Sequence, residues 1–147
     1  MVDNAKQQVK MESKYEILLE DLKARLEYGV ILNCFDIVGE TLKDIRIIDG
    51  KPLINGDWDI EEVKPYLRPI NDMSESETKE YNDLCKTINI WLDLALKKKE
   101  EVVVDTQESL NWLDKNMFDR RGLIPLGLAI KVTDEVNPYK NDKKRGD

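Results

Sequence analysis

The residues with the clearest chemical potential lie in one short acidic turn, where four carboxylates surround a tryptophan. The members of this acidic turn are Asp57, Trp58, Asp59, Glu61 and Glu62. Alternating acids can bind calcium, but an EF-hand loop needs a glycine at its sixth position and a bidentate glutamate at its twelfth. Counted from Asp57, those positions hold Glu62 and Arg68. We therefore predict no metal site here. The turn is either a solvated acidic turn with a packed Trp58 or a partner-binding surface anchored by Trp58, and the sequence leaves both interpretations open.

A second candidate is a compact turn near the end of the chain, called the arginine turn below. It consists of Phe118, Asp119, Arg120, Arg121 and Gly122. Two adjacent guanidinium groups can bind a carboxylate or a phosphate on a partner. The structural alternative is that one arginine pairs with Asp119 or caps the carbonyls of a helix end, while Phe118 closes the core. The sequence leaves both interpretations open.

The residue types that most enzymes depend on are scarce. The chain contains no histidine, so it has no imidazole base and no histidine metal ligand. Its two cysteines, Cys34 and Cys85, lie in apolar surroundings and are expected to be buried free thiols. Two cysteines alone cannot build a structural zinc site. We therefore expect a protein without enzymatic activity, cofactor or metal, and a carboxylate- or metal-dependent enzyme is the third-ranked alternative.

Charge is distributed unevenly along the chain. The 147 residues have a formal net charge of −7, and the segment 27–78 contains 12 acidic against 5 basic residues. Binding of DNA or RNA requires clustered lysine and arginine, so we expect no direct nucleic-acid binding. A localised acidic surface favours a basic protein partner instead. No apolar run is long enough to span a membrane and the N-terminus lacks the apolar core of a signal peptide, so we expect neither feature. Free thiols are typical of a reducing cytoplasm, which is the location we expect.

The elements that must position these candidates point to the α+β class. We expect one compact domain over residues 1–147, with flexible ends at 1–11 and 138–147. Leucines at three- and four-residue spacing predict a helix over 12–28. Short β-rich runs separated by turn dipeptides predict a small antiparallel β unit over 29–70, which could form part of an SH3-like barrel.

The third region, 74–132, is predicted to be mainly helical. An S-x-x-E pattern that begins at Ser74 predicts a capping box, and apolar residues behind it trace one face of a long helix. They are Tyr81, Leu84, Cys85, Ile88, Trp91, Leu92 and Ala95. Either Asp105 or Thr106 is expected to cap a second helix. The segment 122–132 alternates like a strand, but its proline and glycine favour an edge position or an irregular turn.

Three segments carry a more specific pattern. They read LEDLKARL with YGV at 19–30, VKPYLRPI with DMSE at 63–75, and FDRRGLIPLGLA at 118–129. In this order they resemble a widespread group of uncharacterised proteins from Bacteroides-type gut bacteria, their phages and prophages. Members of the group usually have proline where this chain has Glu27 and tyrosine where it has Arg120. The resemblance implies a phage or mobile-element setting in a bacterial host cell, and it implies no activity.

The favoured functional hypothesis is a non-enzymatic binding protein of phage or mobile-element origin. It would engage a protein partner by covering a basic surface, such as a nucleic-acid-binding groove. The alternative is a virion or assembly component, in which the same surface would mediate self-association.

Overall fold

Three α-helices and three small β-sheets are present in the part of the chain that the computed structural model describes, residues 2–35, 37–91 and 99–139. The helices are α1 (Val2–Arg25), α2 (Glu75–Leu84) and α3 (Gln107–Lys115). A 3-10 turn, Leu26–Tyr28, extends α1, and Gly29 ends it with a φ of 69°. The predicted α+β class is confirmed. None of the described helices has the length and apolar character needed to cross a membrane.

The strands fall into three separate sheets. In chain order they are β1 (Ile31–Cys34), β2 (Ile37–Thr41), β3 (Ile45–Ile48), β4 (Lys51–Ile54), β5 (Trp58–Asp59), β6 (Val63–Leu67), β7 (Lys86–Trp91), β8 (Lys99–Val104) and β9 (Ile130–Lys131). The first sheet has the order β2-β1-β6-β9, the second β3-β4-β5 and the third β7-β8. All pairings are antiparallel except that of β6 with β9.

The predicted β unit is therefore divided between two sheets, and one side chain links them. Asn55 accepts hydrogen bonds from the backbone N–H groups of Lys43 (2.7 Å) and Asp44 (3.1 Å). Its amide group donates to the Glu40 carboxylate (3.1 Å) and to the Thr41 carbonyl (2.9 Å). These bonds hold the end of β2 against the start of β3, so the strands turn from one sheet into the next.

The N-terminal helix is longer than predicted. Helix α1 begins at Val2, whereas the leucine pattern predicted a start at residue 12. Leu18 and Leu22 are fully buried in the main core, which they share with Leu32 of β1 and Leu67 of β6. The apolar face of α1 thus packs on the first sheet, as the leucine spacing predicted.

The prediction of a long helix after Ser74 is wrong. Helix α2 ends at Leu84, and the chain continues as β7, which pairs with β8 in the register Lys86↔Val104 to Trp91↔Lys99. Both segments are rich in β-branched residues, which favour strands. The backbone N–H and C=O groups of each strand form hydrogen bonds with those of the other. Trp91 therefore lies at a strand end, and Leu92 and Ala95 lie outside the described residues. The region 74–132 is mixed rather than mainly helical.

Both predicted helix starts of this region are confirmed. Ser74 accepts a hydrogen bond from the Glu77 N–H (3.1 Å), and the Glu77 carboxylate accepts one from the Ser74 N–H (3.0 Å). Thr106 caps α3 in the same way, with Ser109 as its reciprocal partner.

The C-terminal part of the described chain is packed on the first sheet. The Tyr139 hydroxyl donates to the Tyr66 carbonyl (2.9 Å) and accepts from the Ile31 N–H (3.0 Å). Tyr139 belongs to the segment 138–147 that is predicted to be flexible, and these two hydrogen bonds connect it to the first sheet. Residues 140–147 lie outside the described residues.

An ion pair connects the end of β6 to α2. The Arg68 guanidinium donates two hydrogen bonds of 2.8 Å to the Glu77 carboxylate and lies 4.2 Å from the centre of the Phe118 ring. The hydrogen bonds from Arg68 lower the pKa of Glu77 to about 2.

We expect this pair to make stability depend on acid pH. Glu77 has an ordinary pKa of 4.5 when unfolded and about 2 when folded, so its contribution is full above the first value and lost as pH falls towards the second. The contribution is on the order of 1–3 kcal/mol, since the pair is partly exposed. Urea unfolding of wild type and Glu77→Gln between pH 7 and pH 2.5 measures it. The two proteins should converge in stability at low pH, and a constant difference would contradict this assignment.

Candidate functional site

The first two residues of the arginine turn lie inside the fold. Phe118 is 0% exposed, and its ring stacks on Trp112 with centroids 5.6 Å apart. The Asp119 carboxylate accepts hydrogen bonds from the N–H groups of Leu123 (2.7 Å) and Ile124 (2.9 Å), which shapes the following turn. These burials correct the proposal that Phe118 and Asp119 contact a partner, because neither offers the surface for it.

The two arginines of the turn bind carboxylates on the helices. Arg120 donates to both oxygens of Asp114 on α3, at 3.0 and 3.3 Å. Arg121 bridges Asp21 on α1 (2.7 Å) and Asp114 (3.1 Å). In the described part of the chain the carboxylate partners of the two arginines are Asp114 and Asp21 and not Asp119, so the structural alternative was right about the role and wrong about the partner.

A fully buried arginine that the sequence analysis missed completes this network. Arg25 is 0% exposed and binds both oxygens of Asp21, at 2.8 and 3.0 Å. It also donates to the carbonyls of Asp114 (3.0 Å) and Phe118, and thereby caps the end of α3. Its spacing from Leu18 and Leu22 places it on the buried face of α1, which is a signal that the sequence did contain.

These residues form an ion cluster whose members are Asp21, Arg25, Asp114, Arg120 and Arg121. The first three are buried, and the side chains of Arg120 and Arg121 are 23% and 15% exposed. Within the described residues, every buried side-chain nitrogen and oxygen has a hydrogen-bond partner. The guanidinium groups already donate to two carboxylates of the cluster. Few of their N–H donors are therefore left to bind a phosphate or an external carboxylate. We assign it to the fold, where it joins α1, α3 and the arginine turn.

The acidic turn divides into structural and exposed residues. Asp59 is the N-cap of the 3-10 turn Ile60–Glu62 and forms a capping box with Glu62, whose carboxylate accepts a hydrogen bond from the Asp59 N–H (2.8 Å). The side chains of Asp57 and Glu61 are exposed, and neither has a hydrogen-bond or ion-pair partner among the described residues. Glu62 is therefore mainly a structural residue, and the negative charge available to a partner lies on its neighbours.

Trp58 is half-buried and fixed in orientation. Its indole N–H donates to the Glu40 carboxylate (3.1 Å), and its ring packs against the main core. The other Glu40 oxygen accepts from Asn55, so the anchor of the acidic turn is tied to the link between the two sheets. Trp58 is thus pre-organised, with part of its ring left at the surface.

Phe35 is a surface residue that the sequence analysis missed. It falls within the β unit predicted over 29–70, but it lies in the turn after β1 with a φ of 54° and is 63% exposed. Its N–H donates to the Glu62 carbonyl (3.1 Å). Its ring meets Trp58 edge-on, with centroids 6.0 Å apart and planes inclined at 62°. The positive φ projects an apolar ring away from the sheet, beside the acidic turn.

We call the resulting area the acidic aromatic surface; it comprises Phe35, Asp57, Trp58, Asp59 and Glu61. Exposed aromatic faces attract lysine and arginine side chains through cation–π contacts, and neighbouring carboxylates add ion pairs. The chemistry of this surface therefore suits a basic protein segment.

The thiols and acids of the described residues do not assemble into a reactive centre. Cys34 is buried, and burial raises the pKa of its thiol to about 12, so it stays protonated. The Cys85 thiol is half-buried and faces the Asp105 carboxylate, to which the Tyr81 hydroxyl also donates. In the described part of the chain, no group of three or more cysteines and acids is placed to hold a metal ion.

Comparison with known proteins assigns no family and no function to this chain. No protein-family model, curated protein or solved structure matches the chain.

Proposed function

We propose that this chain is a non-enzymatic binding protein of phage or mobile-element origin that works in the cytoplasm of a bacterial host. It engages a basic surface of a protein partner through the acidic aromatic surface. The observation that carries the proposal is the exposed Phe35 ring held against Trp58 beside unpaired carboxylates. The three segments that resemble proteins of gut bacteria and their phages support the setting.

The energetics of Phe35 favour a binding role. A phenylalanine with positive φ is uncommon and carries backbone strain, and its exposed ring contributes little to the core. An exposed aromatic residue that is fixed by a neighbour loses little conformational entropy on binding, which is typical of an interface hot spot. Phe35 therefore has the properties of an anchor that a partner covers.

The acidic residues around this anchor would act mainly on the association rate. Exposed carboxylates that oppose a basic patch steer the encounter and give the rate a salt dependence. The concentration of negative charge on segment 27–78 adds a longer-range field of the same sign. The partner would thus be attracted by charge and held by the aromatic pair.

We expect neutralisation of the exposed acids to change binding and leave folding unaffected. Asp57→Asn with Glu61→Gln removes two unpaired charges, and each change should alter stability by less than about 0.5 kcal/mol. Glu62→Ala removes a cap and should cost about 1 kcal/mol. Thermal unfolding measures both. Equal losses from the two changes would contradict the division between exposed and structural acids.

The binding experiment uses a variant matched in charge. Glu80→Gln with Asp83→Asn removes two exposed acids from α2, outside the acidic aromatic surface. Wild type, this control, the Asp57/Glu61 variant and Phe35→Ala are immobilised in equal folded amounts and exposed to a Bacteroides-type host lysate. The partner should be retained by wild type and control and depleted by the two surface variants, in a salt-dependent manner. If no protein distinguishes the surface variants from the control, the proposal is wrong.

A further inference from the structure

We propose that the outer edge of β3 receives an extended, basic segment of the partner as an additional strand. This inference rests on the proposed function, because it specifies how a basic protein partner is bound. It concerns different atoms, namely the free backbone groups of a sheet edge, so it can fail while the proposed function stands.

The hairpin geometry determines which backbone groups are free. Strands β3 and β4 are joined by Asp49 and Gly50, both with positive φ (52° and 78°), and Ile48 lies opposite Lys51. In a two-residue hairpin, the residues that flank the turn form a hydrogen-bonded pair, and the pattern then alternates along the strand. Arg46 and Ile48 therefore direct their backbone groups towards β4.

Ile45 and Ile47 then direct their N–H and C=O groups away from the sheet. Pro52 lies opposite Ile47, and a proline without an N–H fits a position that makes no bond across the ladder. Strand β3 ends its sheet, and within the described residues no backbone hydrogen bond outside the ladder reaches Ile45 or Ile47. The edge therefore offers two donors and two acceptors in the alternation that a new strand requires.

Three of the four residues of β3 are isoleucines, and its one charged residue, Arg46, is paired with Asp44. Ile47 is 54% exposed and Ile48 is 50% exposed, and successive residues of a strand point to opposite faces. Natural proteins usually block an open edge with lysine, proline or a bulge. An added strand would cover one isoleucine on each face and would thus bury apolar surface that is exposed in the free protein.

The groove beside Ile47 connects this edge with the acidic aromatic surface. It measures about 480 Å³ and lies between α1 and the β3–β4 hairpin, with Tyr15 and Leu19 among its apolar walls. Asp59 and Glu61 also line it, so the two surfaces are continuous. An apolar side chain of the added strand, placed next to Ile47, would enter this groove.

The charge of the surroundings indicates which kind of strand would pair with the free edge of β3. On β3 itself Asp44 is paired with Arg46 (2.9 Å), so the negative segment that a partner meets is the wall of the groove, where Glu16, Asp59 and Glu61 outnumber Lys51. A second copy of the chain would bring two such negative segments together. A lysine- or arginine-rich segment would meet them with opposite charge, so we commit to a basic partner strand.

The test uses a defined peptide and two substitutions at one position. The peptide is a capped hexamer of alternating lysine and valine, and its counterpart has glutamate in place of lysine. Ile47→Pro removes the outward N–H at a position without a ladder bond, whereas Ile47→Ala removes side-chain surface and keeps that N–H. Slow hydrogen exchange at Arg46 and Ile48 shows that the hairpin of each variant is folded.

The lysine peptide, titrated to roughly millimolar concentration, should slow amide exchange at Ile45 and Ile47 of wild type. Ile47→Pro should weaken peptide binding by about tenfold more than Ile47→Ala does. Equal binding by both variants, or equal binding of the glutamate peptide, would overturn the inference. Protection of Ile45 and Ile47 that rises with protein concentration alone, together with a dimer in native mass spectrometry, would assign the edge to a second copy and also overturn it. A cellular partner lost from the Asp57/Glu61 variant but retained by Ile47→Pro would leave the proposed function intact and refute only this inference.

Discussion

Replacement of Arg25 with methionine should destabilise the protein by about 3–5 kcal/mol. The guanidinium is 0% exposed and donates to the Asp21 carboxylate and to the carbonyls of Asp114 and Phe118. Its removal leaves a buried carboxylate with only Arg121 as a counter-charge and leaves the end of α3 without its cap. Because small proteins are stable by about 5–15 kcal/mol, this single change could remove most of the folding free energy. Urea unfolding followed by tryptophan fluorescence measures the loss.

The matched control is an arginine in an exposed pair. Arg46 lies 2.9 Å from Asp44, with side chains 68% and 41% exposed, and Arg46→Met should cost less than about 1 kcal/mol. A second arm, Arg25→Met combined with Asp21→Leu, removes the buried carboxylate that has lost one of its two counter-charges and should recover part of the loss. If Arg25→Met costs no more than Arg46→Met, the cluster does not hold the helices together. If the double variant is no better than the single one, lost packing rather than the lost counter-charge explains the effect.

The two phenylalanines of the chain should separate folding from binding. Phe118→Ala should cost about 3–5 kcal/mol, because the ring is fully buried between Trp112 and the Arg68 guanidinium. Phe35→Ala should change stability by less than about 1 kcal/mol, because its ring is 63% exposed. Only the second should abolish capture of the partner at equal amounts of folded protein.

Chemical denaturation and lysate capture on the same two variants test this contrast. Phe118→Leu keeps most of the buried volume and should cost less than about 1.5 kcal/mol, which identifies a packing effect. A large loss of stability from Phe35→Ala would show that the aromatic pair is structural. Loss of capture by folded Phe118→Leu, with Phe35→Ala unaffected, would return the binding site to the arginine turn.

The sequence by itself determined the features that depend on neighbouring residues. The capping box at Ser74, a helix cap at Asp105 or Thr106 and the end of the first helix near residue 28 were predicted, and Ser74, Thr106 and Gly29 occupy these positions. Each is decided by the chemistry of a few consecutive residues, such as a side chain that accepts a nearby N–H or a glycine that tolerates positive φ. The class of the fold followed from such local signals combined with hydrophobic periodicity.

The strand conformation of β7 and β8 depends on pairing between two segments of the chain, and neither segment determines it alone. Ile88 fits an apolar helix face and a β-strand about equally well, so spacing alone could not choose between them. The choice depends on Val102, which lies opposite Ile88 in the ladder and supplies the partner that a lone strand lacks. Local propensity is a weak prior that tertiary contacts readily override.

The functional surfaces were likewise decided by tertiary structure. Arg121 and Asp21 are a hundred positions apart in the chain and 2.7 Å apart in space, which turned a candidate binding turn into part of the core. Phe35 was read as a strand residue, and only the turn after β1 placed it on Trp58. A sequence shows which side chains are able to pair. Which of them are buried, and which partner each one has, depends on the packing of the whole chain. Consequently, residue type indicated the chemistry available to this protein, and three-dimensional packing decided which of those residues remain free to bind.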